Sequence, residues 1–366
     1  MSIRVAVLGS GVAGAGTAFA LAAGGADVVV VDRVLTGQAT AAGAGIIQPW
    51  SSGADGHFYD LYAAGAAYYP ALLERLAEAG VSDIGYRVTG SLLVHTDPAR
   101  LDEAEERLRR RTTGVAAAGT VQRLSPRDAR ALFPPLDPAL AAVFVPGGAR
   151  VDGRLLRAGL LAGARRFGAT IVDAPGRLAA TPGSASVHTP DGEIGADVVV
   201  VAAGAWTNDV LAPLGHRVPV APQRGQIAHL RLDGIDTAGW PSVLPTGGHY
   251  LVPFDAGRIA VGATRETGSG FDARITADGV REVLSQALTV APGLAAASLV
   301  ETRVGLRPLA AQPYLGPVAG VPGLVVNVGF GAGGLTMAPV AGQALAQLIL
   351  TGSSDLDLGP FAPPGR

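Results

Sequence analysis

Residues 9–14 read Gly9-Ser-Gly11-Val-Ala-Gly14 and stand between two predicted elements. The apolar run before them, residues 3–8, predicts a buried strand, and the small residues 13–23 predict a helix. A second apolar run, residues 27–31, predicts the next strand and ends at Asp32. A strand, a glycine turn, a helix and a strand closed by an acidic residue are typical of a dinucleotide-binding unit.

The three glycines of this motif have mechanical roles. They allow a tight turn, the approach of a pyrophosphate to the backbone, and close packing of the helix on the strand. The helix N-terminus offers unpaired N–H groups and the positive end of a dipole to the phosphates. Asp32 can accept hydrogen bonds from ribose hydroxyls, which disfavours NADP but does not separate NAD from FAD. Because a glycine triplet alone could be structural, the prediction rests on both strands and Asp32 together.

The composition bounds the class of protein. The chain has 366 residues, of which 48% are hydrophobic and 16% charged, so it can bury a large core and its length favours two domains. A formal net charge of -2 provides no basic field for nucleic acid or anionic lipid. The absence of cysteine excludes disulfides, thiolate metal sites and a cofactor linked through sulfur. All 28 basic residues are arginine, which excludes a Schiff-base lysine and a P-loop.

The apolar stretch 5–31 raises the question of a membrane span. It contains many glycines and Asp27, and no basic segment precedes it. These features argue against a membrane span or a secretory leader. We therefore expect a soluble, cytoplasmic protein without membrane insertion.

The order of predicted elements indicates the architecture. Strands at 170–172, 197–201 and 324–328 and a last helix at 336–350 continue the pattern of the N-terminal unit. Other strands lie between them, and Asp255-Ala-Gly257 is a hairpin signal. We predict an α/β fold, with a discontinuous Rossmann-type nucleotide-binding domain (1–88, 151–215 and 306–366) and an inserted α+β substrate domain of mixed or antiparallel sheet (89–150 and 216–305).

Two further runs of small residues favour FAD over NAD. In Thr40-Ala-Ala-Gly-Ala-Gly45-Ile46-Ile47 a flat ring system could lie on the backbone. Gly329-Phe-Gly-Ala-Gly-Gly334-Leu-Thr336 joins a predicted strand to a helix and supplies a second helix N-terminus. Such an end, aimed at the pyrimidine edge of a flavin, would stabilise negative charge on the reduced ring.

Several motifs, taken in order, resemble the D-amino-acid-oxidase-type family of FAD oxidoreductases, and most of all its glycine oxidase branch. The resemblance covers nearly the whole chain. Its markers are the glycine motif with Asp32-Arg33, Ala39 to Ile47, Val200-Val-Ala-Ala-Gly204-Ala-Trp206, Pro222-Gln-Arg-Gly225-Gln226, His249-Tyr250-Leu-Val-Pro253, Gly305-Leu-Arg307-Pro308 and the closing glycine run.

The resemblance implies noncovalent FAD and a set of residues in contact with it. That set is Gly9, Gly11, Val12, Ala13, Gly14, Asp32, Arg33, Ala39, Thr40, Ala44, Gly45, Ile46, Arg177, Ala203, Gly204, Phe330, Gly331, Ala332, Gly333, Gly334, Leu335 and Thr336. The implied reaction is hydride transfer from the carbon bearing nitrogen to flavin N5, which gives an imine that hydrolyses in water. The cofactor performs the electron transfer, so we assign no catalytic acid or base.

The resemblance also implies a substrate site. Arg307 matches the family's carboxylate-binding arginine and Tyr250 a tyrosine of the same pocket, while Gln48, Phe330 and Ala332 complete the predicted lining. Close relatives place a second carboxylate-binding arginine where this chain has Ala332, and the stretch after Arg307 is shorter than usual. We therefore expect a small free amino acid such as glycine to be held weakly.

Other polar residues give weaker signals. Trp50 and His57 follow the flavin loop and are further candidates for the pocket lining, as is His249. The remaining histidines lack metal-ligand spacing, so no metal site is predicted. Without the resemblance, Arg307 could cap a helix or pair with an acid in a Gly-Leu-Arg-Pro turn, and Tyr250 could be ordinary core.

The function predicted is oxidation of a small amine or amino acid with electrons passed to oxygen. A dehydrogenase that uses a quinone or a redox protein is the alternative. An NAD(P)H-dependent flavin reductase or monooxygenase is a different class, and it would need a second nucleotide site that the sequence does not indicate. The particular amine, its stereochemistry and the oligomeric state stay open.

Overall fold

The computed structural model of the protein describes residues 2–181 and 184–365. The helices in these ranges are α1 (Val12–Ala23), α2 (Ala39–Ala42), α3 (Gly56–Glu78), α4 (Pro98–Thr112), α5 (Pro126–Leu132), α6 (Gly153–Arg166), α7 (Thr207–Leu211), α8 (Ala277–Val290) and α9 (Gly334–Thr351). The strands are β1 (Arg4–Leu8), β2 (Asp27–Asp32), β3 (Ile46–Ile47), β4 (Arg87–Val88), β5 (Ser91–His95), β6 (Gln122–Leu124), β7 (Ala141–Val145), β8 (Ala149–Arg150), β9 (Thr170–Asp173), β10 (Arg177–Thr181), β11 (Ser184–Thr189), β12 (Gly192–Gly195), β13 (Val198–Val201), β14 (Ala221–Arg231), β15 (Ser242–Pro245), β16 (Tyr250–Pro253), β17 (Arg258–Gly262), β18 (Glu266–Thr267), β19 (Ser298–Leu309), β20 (Tyr314–Pro317) and β21 (Leu324–Val328).

The central sheet has six strands in the order β20-β21-β13-β1-β2-β9. Its neighbours run parallel except β20, which is antiparallel to β21. The inner strands β2 and β13 are runs of valine, which is typical of strands buried on both faces. One face packs on α1, α6 and α9, and the other on the small antiparallel sheet β10-β11-β12. The predicted α/β class, with its nucleotide-binding sheet built from three segments, is confirmed.

A second sheet of nine strands has the order β18-β14-β17-β16-β15-β5-β7-β6, with β19 pairing on β14. β15 and β5 are parallel, whereas the other neighbours are antiparallel, so the sheet is mixed as predicted. Ala256 and Gly257, with φ of 58° and 73°, turn the chain from β16 into β17. This is the hairpin that Asp255-Ala-Gly257 predicted. Since β19 crosses the expected boundary at 305, the division into domains remains a prediction.

One local prediction is wrong. The stretch Gly305-Leu-Arg-Pro308 forms no turn but belongs to β19, where Arg307 lies opposite Gln223 of β14. Glycine and proline suggested a turn because both are rare inside sheets. One edge of β19 pairs with β14, and at its other edge the Leu306 N–H donates to the Gly37 carbonyl at 2.8 Å. Pro308 lies two residues further on and directs its nitrogen to that second edge, so it removes no hydrogen bond from the ladder between β14 and β19.

The long apolar helix α9 lies in the core. By length and composition alone the segment Gly331–Thr351 could cross a membrane, but 56% of its most apolar window is buried inside the protein. Packing against α1 and α3 accounts for its apolar sequence. The backbones of α1 and α9 touch where glycines face each other, since a Cβ on Gly342 would lie 2.6 Å from the Thr17 nitrogen and one on Gly16 3.3 Å from the Pro339 Cα.

Replacement of Gly342 by alanine should lower the melting temperature. In a helix interior alanine is normally better than glycine by about 0.5–1 kcal/mol. At this position the new Cβ meets backbone atoms of α1 that cannot move aside independently. Overpacking of this kind costs about 1–3 kcal/mol, which outweighs the helix preference. Thermal unfolding of the purified protein measures the change.

Gly239→Ala is the matched control. Gly239 is exposed, and a Cβ added there has no neighbour within 4 Å. We expect its melting temperature to equal the wild-type value or to exceed it slightly, because alanine restricts the unfolded chain. A Gly342→Ala protein as stable as wild type would contradict the close approach of α1 and α9.

Candidate active site

A cavity of about 1040 Å³ runs along the carboxyl ends of β1, β2 and β13 and continues to β16 and β19 of the second sheet. Ligands of open α/β sheets bind at this edge of the strands. Pockets for small molecules typically measure about 300–1,000 Å³. The cavity therefore has room for a dinucleotide together with a small substrate.

The glycine turn after β1 shapes the nucleotide end of the cavity. A Cβ on Gly9, where φ is 102°, would lie 2.5 Å from the Ala202 oxygen, and one on Gly14 would lie 1.9 Å from the Gly9 oxygen. A Cβ on Gly11 has no neighbour nearer than 3.4 Å, so that side is open to the cavity. The structure thus places two glycines for packing and one where a pyrophosphate could approach the N-terminus of α1.

Asp32 is held in a fixed orientation at the end of β2. Its Oδ2 accepts a hydrogen bond of 3.0 Å from the Ser10 N–H and another from the Ser10 hydroxyl, and its Oδ1 accepts one of 2.9 Å from the Arg33 N–H. Arg157 of α6 donates to the Ser10 carbonyl at 2.7 Å and lies 3.9 Å from Asp32. The remaining acceptor capacity of this carboxylate could bind ribose hydroxyls.

The loop from α2 to β3 is fixed at three points around the cavity. Thr40 accepts a hydrogen bond of 2.9 Å from the Val12 N–H at the start of α1. A Cβ on Gly45 would lie 1.8 Å from the Val151 oxygen, and Thr336 of α9 donates to the Ile46 carbonyl at 3.1 Å. The small residues between these points line the cavity with backbone and short side chains, along which a ring system could lie.

The N-terminus of α9 faces the middle of the cavity. A single turn of 3₁₀ helix, Gly331–Gly333, leads from β21 into α9, and the cavity is lined by Phe330, Gly331 and Ala332. Tyr62 of α3 lies beside this turn, and burial raises the pKa of its phenol, while a side-chain hydrogen bond with Thr336 acts in the opposite direction. A helix N-terminus at this point could stabilise an anionic ring edge.

Arg307 and Tyr250 meet at the far end of the cavity. The Arg307 guanidinium lies on the backbone of Gly225, where a Cβ would be 2.4 Å from it, and donates to the Thr264 carbonyl at 3.0 Å and to Gln223 Oε1 at 3.4 Å. Burial raises the pKa of Tyr250 and the charge of Arg307 opposes that shift, so the phenol stays neutral.

Partial burial also makes the charge of Arg307 energetically unfavourable. It lowers the pKa of Arg307, yet a guanidinium stays protonated at physiological pH. Within 2–181 and 184–365 no carboxylate lies within ion-pair distance of it. A half-buried cation whose hydrogen-bond partners are neutral favours the entry of an anion.

The structure brings most predicted site residues to this cavity. Its lining includes Gly9, Gly11, Val12, Ala13, Asp32, Arg33, Ala39, Thr40, Ala44, Gly45, Ile46, Gln48, Arg177, Ala203, Gly204, His249, Tyr250, Arg307, Phe330, Gly331, Ala332, Gly334, Leu335 and Thr336.

Four predicted or considered residues do not line the cavity. Gly14 packs against the Gly9 backbone, and Gly333 lies against Met337 and Tyr62. Trp50 is buried in a cluster with Leu93, and His57 is exposed beside Asp60. Among the described residues no cluster of three His, Asp or Glu could hold a metal ion.

Sequence reasoning missed several polar residues of the cavity, among them Arg265, Arg107 and Tyr62. Arg265 lies beyond β17, Arg107 on α4 and Tyr62 on α3. Arg265 is exposed and Arg107 is half-buried, and with arginine as the sole basic residue type of the chain no local signal distinguishes either from the other arginines. These residues reach the cavity only through the packing of the second sheet against the first, so their place there cannot be predicted from neighbouring residues.

Comparisons with known proteins agree with this geometry. The chain is similar to the crystal structure of iminodiacetate oxidase from Chelativorans sp. BNC1, with a TM-score of 0.96 and 47% identity over 99% of both chains. It is 44% identical to the uncharacterized oxidoreductase YurR of Bacillus subtilis strain 168 over 98% of both chains. It is 34% identical to glycine oxidase of Pseudomonas putida KT2440 over the full length of both.

A family-wide comparison gives the same assignment. Residues 4–348 match the DAO family, described as FAD dependent oxidoreductase. The match covers both sheets and both ends of the cavity. The chain therefore belongs to this family of FAD-dependent oxidoreductases, whose members similar to it act on C–N bonds.

Proposed function

We propose that the protein oxidises a small amine whose carboxylate binds Arg307, and that the electrons pass to oxygen. The observation that carries this proposal is the half-buried Arg307 guanidinium at the end of the cavity, which has neutral hydrogen-bond partners and no carboxylate within ion-pair distance in the described chain. Its planar fork suits a carboxylate. Tyr250 offers a neutral hydroxyl beside it.

The nucleotide end of the cavity fits FAD. We assign the pyrophosphate to the open face of Gly11 and the N-terminus of α1, and the ribose to Asp32. The ring system would lie along residues 44–46, with its pyrimidine edge at the N-terminus of α9. This arrangement leaves the space between the ring and Arg307 for the substrate.

The residues around that space bind and orient the substrate. Arg307 would hold the carboxylate and so fix the neighbouring C–H bond in one direction, which is the main requirement for hydride transfer. FAD, when bound, accepts the hydride at N5 and supplies the route for two electrons to oxygen. The nitrogen lone pair forms a C=N bond, the N–H proton leaves to water, and hydrolysis of the imine releases a carbonyl compound and an amine.

The relatives indicate which compounds to test first. Structural and sequence neighbours are named for iminodiacetate and for glycine. Both compounds are amines with a carboxylate on the carbon next to nitrogen, which is the group that the proposed role of Arg307 would bind. Oxygen is the proposed acceptor, with a quinone or redox protein as the alternative, and we propose a cytoplasmic location.

The purified protein should be yellow and should release FAD on acid precipitation, because the chain has no cysteine for a thioether link. Absorption spectra of the supernatant and the pellet measure the release. NADH and NADPH should not bleach the flavin under nitrogen, since the described chain forms one dinucleotide motif. Rapid bleaching by either compound would favour the reductase class instead.

Substitutions of Arg307 test the carboxylate role. Arg307→Ala and Arg307→Lys should lose at least about tenfold in kcat/KM on an amino acid, since a hydrogen bond to a charged group contributes about 1.5–3 kcal/mol. On the corresponding decarboxylated amine the change should be small. Equal losses on both substrates would mean that Arg307 supports the fold or the flavin, and the proposal would then be abandoned.

Gly225→Ala tests the same role without removing the charge. The new Cβ would occupy the place of the Arg307 guanidinium, 2.4 Å from its carbon, and the flexible side chain would move aside. We expect KM for carboxylate substrates to rise about tenfold or more, with an unchanged flavin spectrum. Gly239→Ala, which meets no neighbour, is the control. An unchanged KM in Gly225→Ala would show that substrate does not depend on this position of Arg307.

A further inference from the structure

A loop of the second sheet reaches the nucleotide end of the cavity. Residues 268–274, which we call the Phe271 loop, lie between β18 and α8, and the ring of Phe271 stacks on Trp206 with ring centroids 5.6 Å apart and an interplanar angle of 23°. Trp206 lines the cavity just before α7. Ala273 touches the segment after β2, since a Cβ on Gly37 would lie 2.9 Å from the Ala273 Cβ. The loop therefore contacts both chain segments that leave the central sheet at β2 and at β13.

Arg224 of β14 holds the Phe271 loop in place. Its side chain, which is 11% exposed, pairs with Glu266 Oε2 at 2.6 Å and with Asp272 Oδ2 at 2.8 Å, on either side of Phe271. The Arg224 N–H also donates to Ser269 Oγ at 3.2 Å. Hydrogen bonds between charged groups are about twice as strong as neutral ones. Phe271 is thus fixed relative to the second sheet, and its contact with Trp206 joins that sheet to the first.

The two stacked rings lie outside the core. Phe271 is 46% exposed, and within residues 2–181 and 184–365 neither ring belongs to the apolar clusters that cover the sheets. A side chain that leaves almost half of its surface in water gains correspondingly little from burial. Its ring nevertheless lies against that of Trp206, a residue of the cavity lining. The contact is therefore better suited to orient a cavity residue than to stabilise the fold.

Trp206 lies on the side of the cavity that an adenosine would occupy. With the pyrophosphate at Gly11 and the ribose at Asp32, the adenine extends beyond Asp32, where Leu35 and Arg177 also line the cavity. β2 and β13 are the two neighbours of β1, so their carboxyl ends are about 10 Å apart. The Phe271 loop bridges this gap through its contacts with the segments after both strands.

We propose that Trp206 contacts the adenosine half of FAD, and that Phe271 is a positioning residue that holds the Trp206 ring in place for this contact. A loop of the second sheet thereby helps to retain the cofactor. Aromatic side chains suit this role because every base has a π-face on which they can stack. The inference rests on the proposed placement of the ribose at Asp32, and it concerns the binding of the cofactor rather than the identity of the amine.

Binding of the whole cofactor and of its adenosine half tests the inference. The full-length protein, depleted of FAD by dialysis against bromide, is titrated with FAD and with ADP, and calorimetry gives both dissociation constants. In Trp206→Ala we expect FAD and ADP to bind at least about tenfold more weakly, because a base loses its stacking partner. Phe271→Ala should weaken both by about three- to tenfold. At saturating FAD the absorption spectrum of the bound flavin should stay that of wild type, since the ring lies elsewhere in the cavity.

Matched variants separate the possible outcomes. Phe271→Tyr keeps the ring and should bind FAD and ADP as wild type does. Phe167→Ala also removes a partly exposed ring from an aromatic pair, 5.9 Å from Phe19, but outside the cavity lining, and should change neither constant. Asp32→Ala removes the proposed ribose acceptor and should weaken both ligands.

The inference is overturned if Trp206→Ala and Phe271→Ala bind ADP as wild type does, or if wild type binds no ADP. It is also overturned if Phe167→Ala weakens both ligands as much as Phe271→Ala, because the stack would then act only through the stability of the fold. Loss of ADP binding in Asp32→Ala alone would reject the role of the Phe271 loop and leave the placement of the ribose standing. Unchanged ADP binding in Asp32→Ala as well would reject that placement too.

Discussion

The close contact between the turn after β1 and the end of β13 determines the shape of the cavity. Gly9 passes the Ala202 carbonyl, and Gly14 packs on Gly9, at distances that exclude any side chain. This contact brings the N-terminus of α1 to the carboxyl edge of the sheet, between Asp32 and the loop that Thr40 fixes. A ligand placed along these N–H groups extends towards the second sheet, where Arg307 stands.

The cavity therefore combines two electrostatic environments. At one end, oriented backbone dipoles and one fixed carboxylate suit a nucleotide. At the other end, a guanidinium group without an acidic partner suits a small anion. In the proposed reaction the cofactor supplies the electron transfer, so we assign no side chain that moves a proton in the redox step, and Arg307 would determine which C–H bond faces the ring.

The sequence predicts the nucleotide end well and the substrate end only in part. Gly9, Asp32 and the runs at 40–47 and 329–336 lie in local strand–turn–helix units, whose geometry follows from neighbouring residues. The resemblance points to Arg307, but the local sequence suggests the wrong structure around it. Gly305 and Pro308 are typical of turns, whereas pairing with β14 makes this stretch part of strand β19. Arg265 gives no local signal, since its place depends on how the second sheet meets the first.

Reduction of the bound flavin by an amine under nitrogen tests the central claim most directly. The account predicts that a carboxylate-bearing amine such as iminodiacetate bleaches the flavin absorption without any added protein, and that air restores the colour with one hydrogen peroxide formed per amine oxidised. Restoration only by a quinone or a redox protein would change the acceptor but leave the amine chemistry in place. A flavin that no carboxylate-bearing amine reduces would contradict the account.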